Sequence, residues 1–130
     1  MNTIRSTTIA PSEDPQRIEI RAHALRADVS ETDTAPNPHD FFDASLAACK
    51  SLTAHWYAKR HAIPLERVET TIERDDANER LGRYHLIVRV TFHGAQLTDE
   101  HRATLTRAIA ACPIHKLMTT TDVEIETVIP

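Results

Sequence analysis

Glycine is nearly missing from this chain: Gly82 and Gly94 are the only two. Glycine-rich loops that cradle nucleotide phosphates are therefore excluded. Cysteine is equally scarce, with Cys49 and Cys112 alone. One pair is too little for a disulfide framework, and such a pair in a reducing compartment is usually catalytic or redox-sensing. No apolar run approaches the 18 or so residues of a membrane-spanning helix, so no membrane partner is expected. The opening MNTIRSTTIAPSEDPQ lacks an apolar signal core, which leads us to expect a cytoplasmic protein. A formal charge of −4 leaves no basic footprint, and nucleic acid is not an expected partner.

What is present suits one globular domain spanning residues 1–130. Apolar residues make up 41% and charged residues 26%, an ordinary balance for a chain that buries a core. No repeat or low-complexity tract interrupts it. A short strand is expected over residues 3–9. RIEIRAHAL alternates Ile18, Ile20 and Ala22 with charged neighbours, the period of a half-buried strand. ADVSETDTAPNP reads as a polar loop.

A long helix then starts at Asn37, with Pro38 in its first position and Asp40 where a capping acid belongs. It is expected to run to about Arg60, before Pro64. RVETTIER alternates Val68, Thr70 and Ile72; DDANERLG is a turn; YHLIVRVTF alternates Tyr84, Leu86, Val88, Val90 and Phe92. A second helix opens at Thr98, with Asp99 and Glu100 at its positive pole. It ends near Cys112, because Pro113 disfavours a helical backbone in the residue before it. DVEIETVI closes the chain as an expected strand. The whole predicts an α+β fold with antiparallel pairing and two main helices.

On a helical wheel Asp43 and Lys50 share one narrow polar stripe, and Cys49 lies roughly 100° away from it. Phe42, Ser45, Leu52, Thr53 and Trp56 flank the cysteine. Apolar surface wraps more than half of the helix, more than one small subunit can cover. The expectation is a homodimer with this helix near its centre. Cys49 stands at about the twelfth helical residue, too far from the first turn for the helix dipole to support a thiolate. A nucleophilic Cys49 therefore requires a cation from elsewhere, and arginine is the best suited.

Cys112 ends the second helix, where the negative pole opposes a thiolate; that placement suits a resolving thiol. Packing is the alternative for both, as two core cysteines in LAAC and IAAC. Cys112 and His115 in CPIH have ligand-like spacing, but zinc sites bring paired ligands at both ends, so no metal and no cofactor is expected.

NPHDFFDASLAACKSLTAHWYAKRHAIPLERVE and LTDEHRATLTRAIAACPIHKLM together resemble the OsmC/Ohr family of thiol peroxidases. In that family a proline-acid start leads to AAC in a long helix, and a second helix ends in a Cys-Pro-Val-His-like motif. HALRAD is similar to a strand motif of one OsmC-like branch, and the likeness spans residues 18–129. The resemblance implies an intertwined α+β homodimer with active sites at the interface. It implies reduction of organic hydroperoxides or hydrogen peroxide, with Cys49 as peroxidatic thiol, Cys112 as resolving thiol, and a dithiol reductant of unknown identity. The catalytic arginine of the family comes from its N-terminal strands, which leaves Arg26 or Arg21. Its catalytic glutamate falls on His39, and either His39 or the neighbouring Asp40, which also suits a helix cap, is the candidate replacement. The alternative function is a non-enzymatic dimeric protein that senses redox state or binds a small ligand.

Overall fold

The computed structural model describes residues 3–8, 15–21, 25–32 and 34–130. Its elements are β1 (Ile4–Thr8), β2 (Gln16–Ile20), β3 (Arg26–Val29), α1 (Pro38–Arg60), β4 (Arg67–Asp75), β5 (His85–His93), α2 (Asp99–Ala110) and α3 (Pro113–Thr119), with a 3₁₀ turn at Glu79–Leu81. The chain divides into two compact units, Met1–Phe42 and Asp43–Pro130.

The first unit carries an antiparallel sheet in the order β1-β2-β3. Ile4 pairs with Ile20, and Ile18 pairs with Ala27. β3 occupies the front of the stretch expected to be a loop. Its alternation is only four residues long, too short to stand out as a strand period. The alanine and histidine expected to extend β2 lie outside the described residues.

The second unit is built on the β4–β5 hairpin, whose nine pairs run from Arg67↔His93 to Asp75↔His85. Burial alternates along both strands, with Val68, Ile72, Val88, Val90 and Phe92 turned inward, as the two-residue period requires. Ala54 and Ala58 of α1 meet Phe92 of β5 and Leu105 and Ile109 of α2 in the core. The small alanine side chains let α1 pack on the hairpin in this cluster.

Three local devices fix these elements. Thr98 caps α2: its Oγ1 accepts from the His101 N–H, while His101 Nδ1 accepts from the Thr98 N–H. Beyond α1, Ile63 N–H bonds to the Ala58 carbonyl at 2.9 Å, and Ala62 takes a left-handed φ of 52°. That is a Schellman closure with alanine where glycine is usual. After β5, the loop passes so near Pro64 that a Cβ on Gly94 would lie 2.5 Å from the Pro64 carbonyl oxygen.

Two expectations are corrected. Pro113 ends α2 and also begins a third helix, α3, in which it holds the first turn. Proline stops a helix behind it and suits the first position of one ahead. The closing DVEIETVI forms no strand, and residues 121–130 are exposed without a ladder. Its alternation is real, but a strand also needs a neighbouring edge to take its N–H and C=O groups.

Candidate functional site

α1 begins on a reciprocal cap. Asp40 Oδ2 accepts from the Asn37 N–H at 2.9 Å, and Asn37 Oδ1 accepts from the Asp40 N–H at 3.1 Å. Asp40 thus does the capping its position suggests, and His39 lies exposed in the same first turn. Arg26 pairs with Glu19 at 3.6 Å on the sheet surface. Arg21 follows β2 with φ 52°, its N–H bonded to the Thr3 carbonyl. All four residues belong to the unit of residues 1–42, whereas both cysteines belong to the unit of residues 43–130.

Within that second unit, the polar stripe of α1 faces inward. Asp43 is 8% exposed and Lys50 is 6% exposed, in line with Leu46, Ala54 and Ala58. Burial of these charged groups is possible because each is hydrogen-bonded. Asp43 accepts a 2.7 Å bond from the Tyr84 hydroxyl and pairs with Arg74 at 3.4 Å. Burial of the phenol, reinforced by its bond to Asp43, raises the Tyr84 pKa above the ordinary tyrosine value. Lys50 Nζ donates to the Ile109 carbonyl at 2.9 Å and lies 3.1 Å from His115 Nδ1. The apolar flank points outward instead, with Leu52 69% and Trp56 61% exposed.

Cys49 lies on that outward flank, half-buried. It lines an apolar groove of about 840 Å³ with Leu52, Trp56 and Tyr57 of α1 and with Ala111, Pro113 and Ile114 from the α2–α3 corner. The groove rings are held from outside: Arg60 sits 5.4 Å over Trp56, and His61 stacks on Tyr57 at 4.1 Å. The walls offer a thiol and hydrocarbon with few polar groups, so a ligand here would meet one nucleophile in apolar surroundings.

Cys112 has no solvent exposure. It caps α3, its Sγ accepting from the His115 N–H at 3.4 Å. This corrects the reading of Cys112 as a group that faces only a negative helix pole. Its backbone closes α2, but its sulfur turns to the His115 N–H of the next helix. Its neighbours Ala111 and Pro113 both line the groove that holds Cys49.

Sequence reasoning singled out both thiols but did not join Lys50 to His115, because a 65-residue separation leaves no local pattern. The available signal was Lys50 itself, one charge on the stripe that carries Leu46 and Ala54. Among the described residues no cluster of three or more His, Cys, Asp and Glu side chains could hold a metal. Nor is any described helix long and apolar enough to cross a membrane.

Comparison with solved structures identifies the fold. The chain is similar to an OsmC-like protein from Mycoplasma pneumoniae, with 14% identity, TM-score 0.73, and 92% of this chain and 88% of that chain covered. It is also similar to the organic hydroperoxide resistance protein OhrB of Bacillus subtilis, at 20% identity, TM-score 0.64, and coverage of 92% and 91%. A third likeness is to the organic hydroperoxide resistance protein OsmC from Legionella pneumophila, at 18% identity, TM-score 0.64, and coverage of 92% and 90%. Comparison with curated protein sequences gives no match. At these identities the likeness concerns the α+β fold, with its antiparallel sheets and helices. The sequence itself matches the family model described as OsmC-like protein over residues 31–128, a span that includes both cysteine helices. This chain belongs to the OsmC-like protein family.

Proposed function

We propose that the protein is a thiol-dependent peroxidase, acting as a homodimer on organic hydroperoxides and, less efficiently, on hydrogen peroxide. One observation carries this reading: Cys49 is half-buried on the wall of an apolar groove that also runs past the neighbours of Cys112. The Cys49 thiolate attacks the terminal peroxide oxygen, the O–O bond breaks, and an alcohol leaves, giving a sulfenic acid. Cys112 then attacks that sulfur to form a disulfide and release water, and an external dithiol restores both thiols. The family resemblance would have Arg26 or Arg21 supply the cation that a mid-helix thiolate lacks, with His39 or Asp40 to orient it.

Stopped-flow oxidation of the reduced protein tests this. Cys49→Ser should consume no peroxide. Cys112→Ser should be oxidised once, to a sulfenic acid trapped by dimedone, without further turnover. Cumene hydroperoxide should react at least about tenfold faster than hydrogen peroxide, since burying two methylene-sized groups is already worth about 1.5 kcal/mol. If Cys49 reacts with every peroxide no faster than free cysteine, the proposal fails and a slow redox sensor becomes the better description.

A further inference from the structure

Lys50 buries its side-chain amine against a backbone carbonyl and a histidine ring. Its ammonium is bonded to a carbonyl and an imidazole, and among the described residues no carboxylate pairs with it. Such contacts satisfy its hydrogen bonds but not its charge, and an uncompensated buried charge is costly. It is favourable where an anion forms beside it. The thiol this network reaches is that of Cys112, through the His115 N–H on its sulfur. Lys50 Nζ and the Cys112 N–H share the Ile109 carbonyl, at 2.9 and 3.2 Å. His115 closes the ring from the other side, its Nδ1 at Lys50 and its backbone N–H on the Cys112 sulfur.

We propose that Lys50 and His115 are positioning residues for the resolving half of the thiol cycle. The ring fixes the start of α3, and with it the Cys112 sulfur. The Lys50 charge favours the anionic sulfur in the step where it displaces the leaving group from oxidised Cys49. In that step the S–S bond forms and the S–O bond of the sulfenic acid breaks. The oxygen leaves as water with the proton given up by Cys112, so no further oxidant is required. This rests on the peroxidase reading only for the identity of the oxidant. The closure itself needs only a Cys49 sulfur bearing a leaving group.

The test therefore uses two oxidants, diamide and cumene hydroperoxide, on the full-length reduced protein. Trp56, the only tryptophan, lies on the same groove and reports each step by fluorescence. Lys50→Met should leave first oxidation of Cys49 within about twofold of wild type. It should slow disulfide closure at least about tenfold, the scale of losing a charged hydrogen-bond partner, and dimedone-trappable sulfenic acid should accumulate under hydroperoxide. Lys50→Gln, which keeps donors but no charge, should be slow as well, while His115→Asn, which keeps an acceptor oxygen, should close faster than His115→Leu. If both Lys50 variants close at the wild-type rate with diamide, or if both steps slow equally, the proposal is overturned. It is also overturned if the wild-type protein forms no disulfide with diamide. A wild-type protein inert to hydroperoxide that closes with diamide at a Lys50-dependent rate would sink the peroxidase reading and support this one.

Discussion

At the scale of single residues, the most informative positions are charged or polar groups that the fold turns inward. Cys49 and Cys112 stood out in the sequence because they are its only two cysteines and each ends an AAC motif. Lys50, Arg74 and Tyr84 did not, since their partners come from other elements and leave no spacing to read. The Tyr84 phenol lends itself to a direct test. Its hydroxyl donates to buried Asp43, and desolvation, followed by that bond, raises its pKa. As pH rises past about 10, the ordinary tyrosine value, the unfolded chain loses this proton first. The folded protein then binds the extra proton, so stability falls with rising pH. The Tyr84 contribution should be fully present below that value and lost as pH rises through the folded pKa. Tyr84→Phe should cost about 1–3 kcal/mol near neutral pH, because Asp43 stays buried with one partner fewer. It should also flatten the alkaline limb of chemical-denaturation stability measured against pH. An unchanged limb would show that Tyr84 does not couple to folding.

At the scale of elements, periodicity carried most of the reading. The β4–β5 hairpin follows its two-residue alternation over nine pairs, and the caps on α1 and α2 stand where Asn37 and Thr98 suggested. Periodicity failed where the pattern was short, as in β3, or where one residue serves two elements, as Pro113 does between α2 and α3. It also assigned the faces of α1 incompletely, since a wheel registers polarity but not the hydrogen bonds that allow Asp43 and Lys50 to be buried. Two connections carry a testable strain. Gly94→Ala should destabilise the protein by about 1–3 kcal/mol, because the new Cβ would meet the Leu97 side chain and the Pro64 carbonyl oxygen, and a backbone oxygen cannot easily yield. Ala62→Gly should do the reverse, relieving a left-handed alanine that costs about 1 kcal/mol, less the entropy glycine loses on folding. Thermal melts of the two variants should therefore move in opposite directions. A melt of Gly94→Ala equal to wild type would mean that the loop shifts freely.

At the scale of the whole molecule, what stands out is apolar surface without cover. Leu52 and Trp56 project from α1, and Val123, Ile125 and Ile129 from a closing segment without a ladder. The sequence already carried this excess, as a helix too apolar for a small subunit to enclose. The homodimer proposed above would account for it, because in a two-fold dimer the same patch covers itself. The magnitudes favour association. Burying a large apolar side chain is worth about 1.5–3 kcal/mol, so Leu52 and Trp56 from both copies contribute about 6–12 kcal/mol before the costs of association. A micromolar dimer requires about 8 kcal/mol net, within reach once further contacts are added. Replacing Leu52 and Trp56 together by Glu would remove that burial and set four carboxylates where apolar cover is needed. Sedimentation velocity should show a dimer for the wild-type protein at micromolar concentration and a monomer for the double variant. The dissociation constant should rise by at least about a thousandfold, equivalent to roughly 4 kcal/mol. The double variant should also lose peroxide consumption if the groove beside Cys49 is completed by the second copy. A wild-type monomer, or a double variant that remains a dimer, would place the cover of α1 elsewhere.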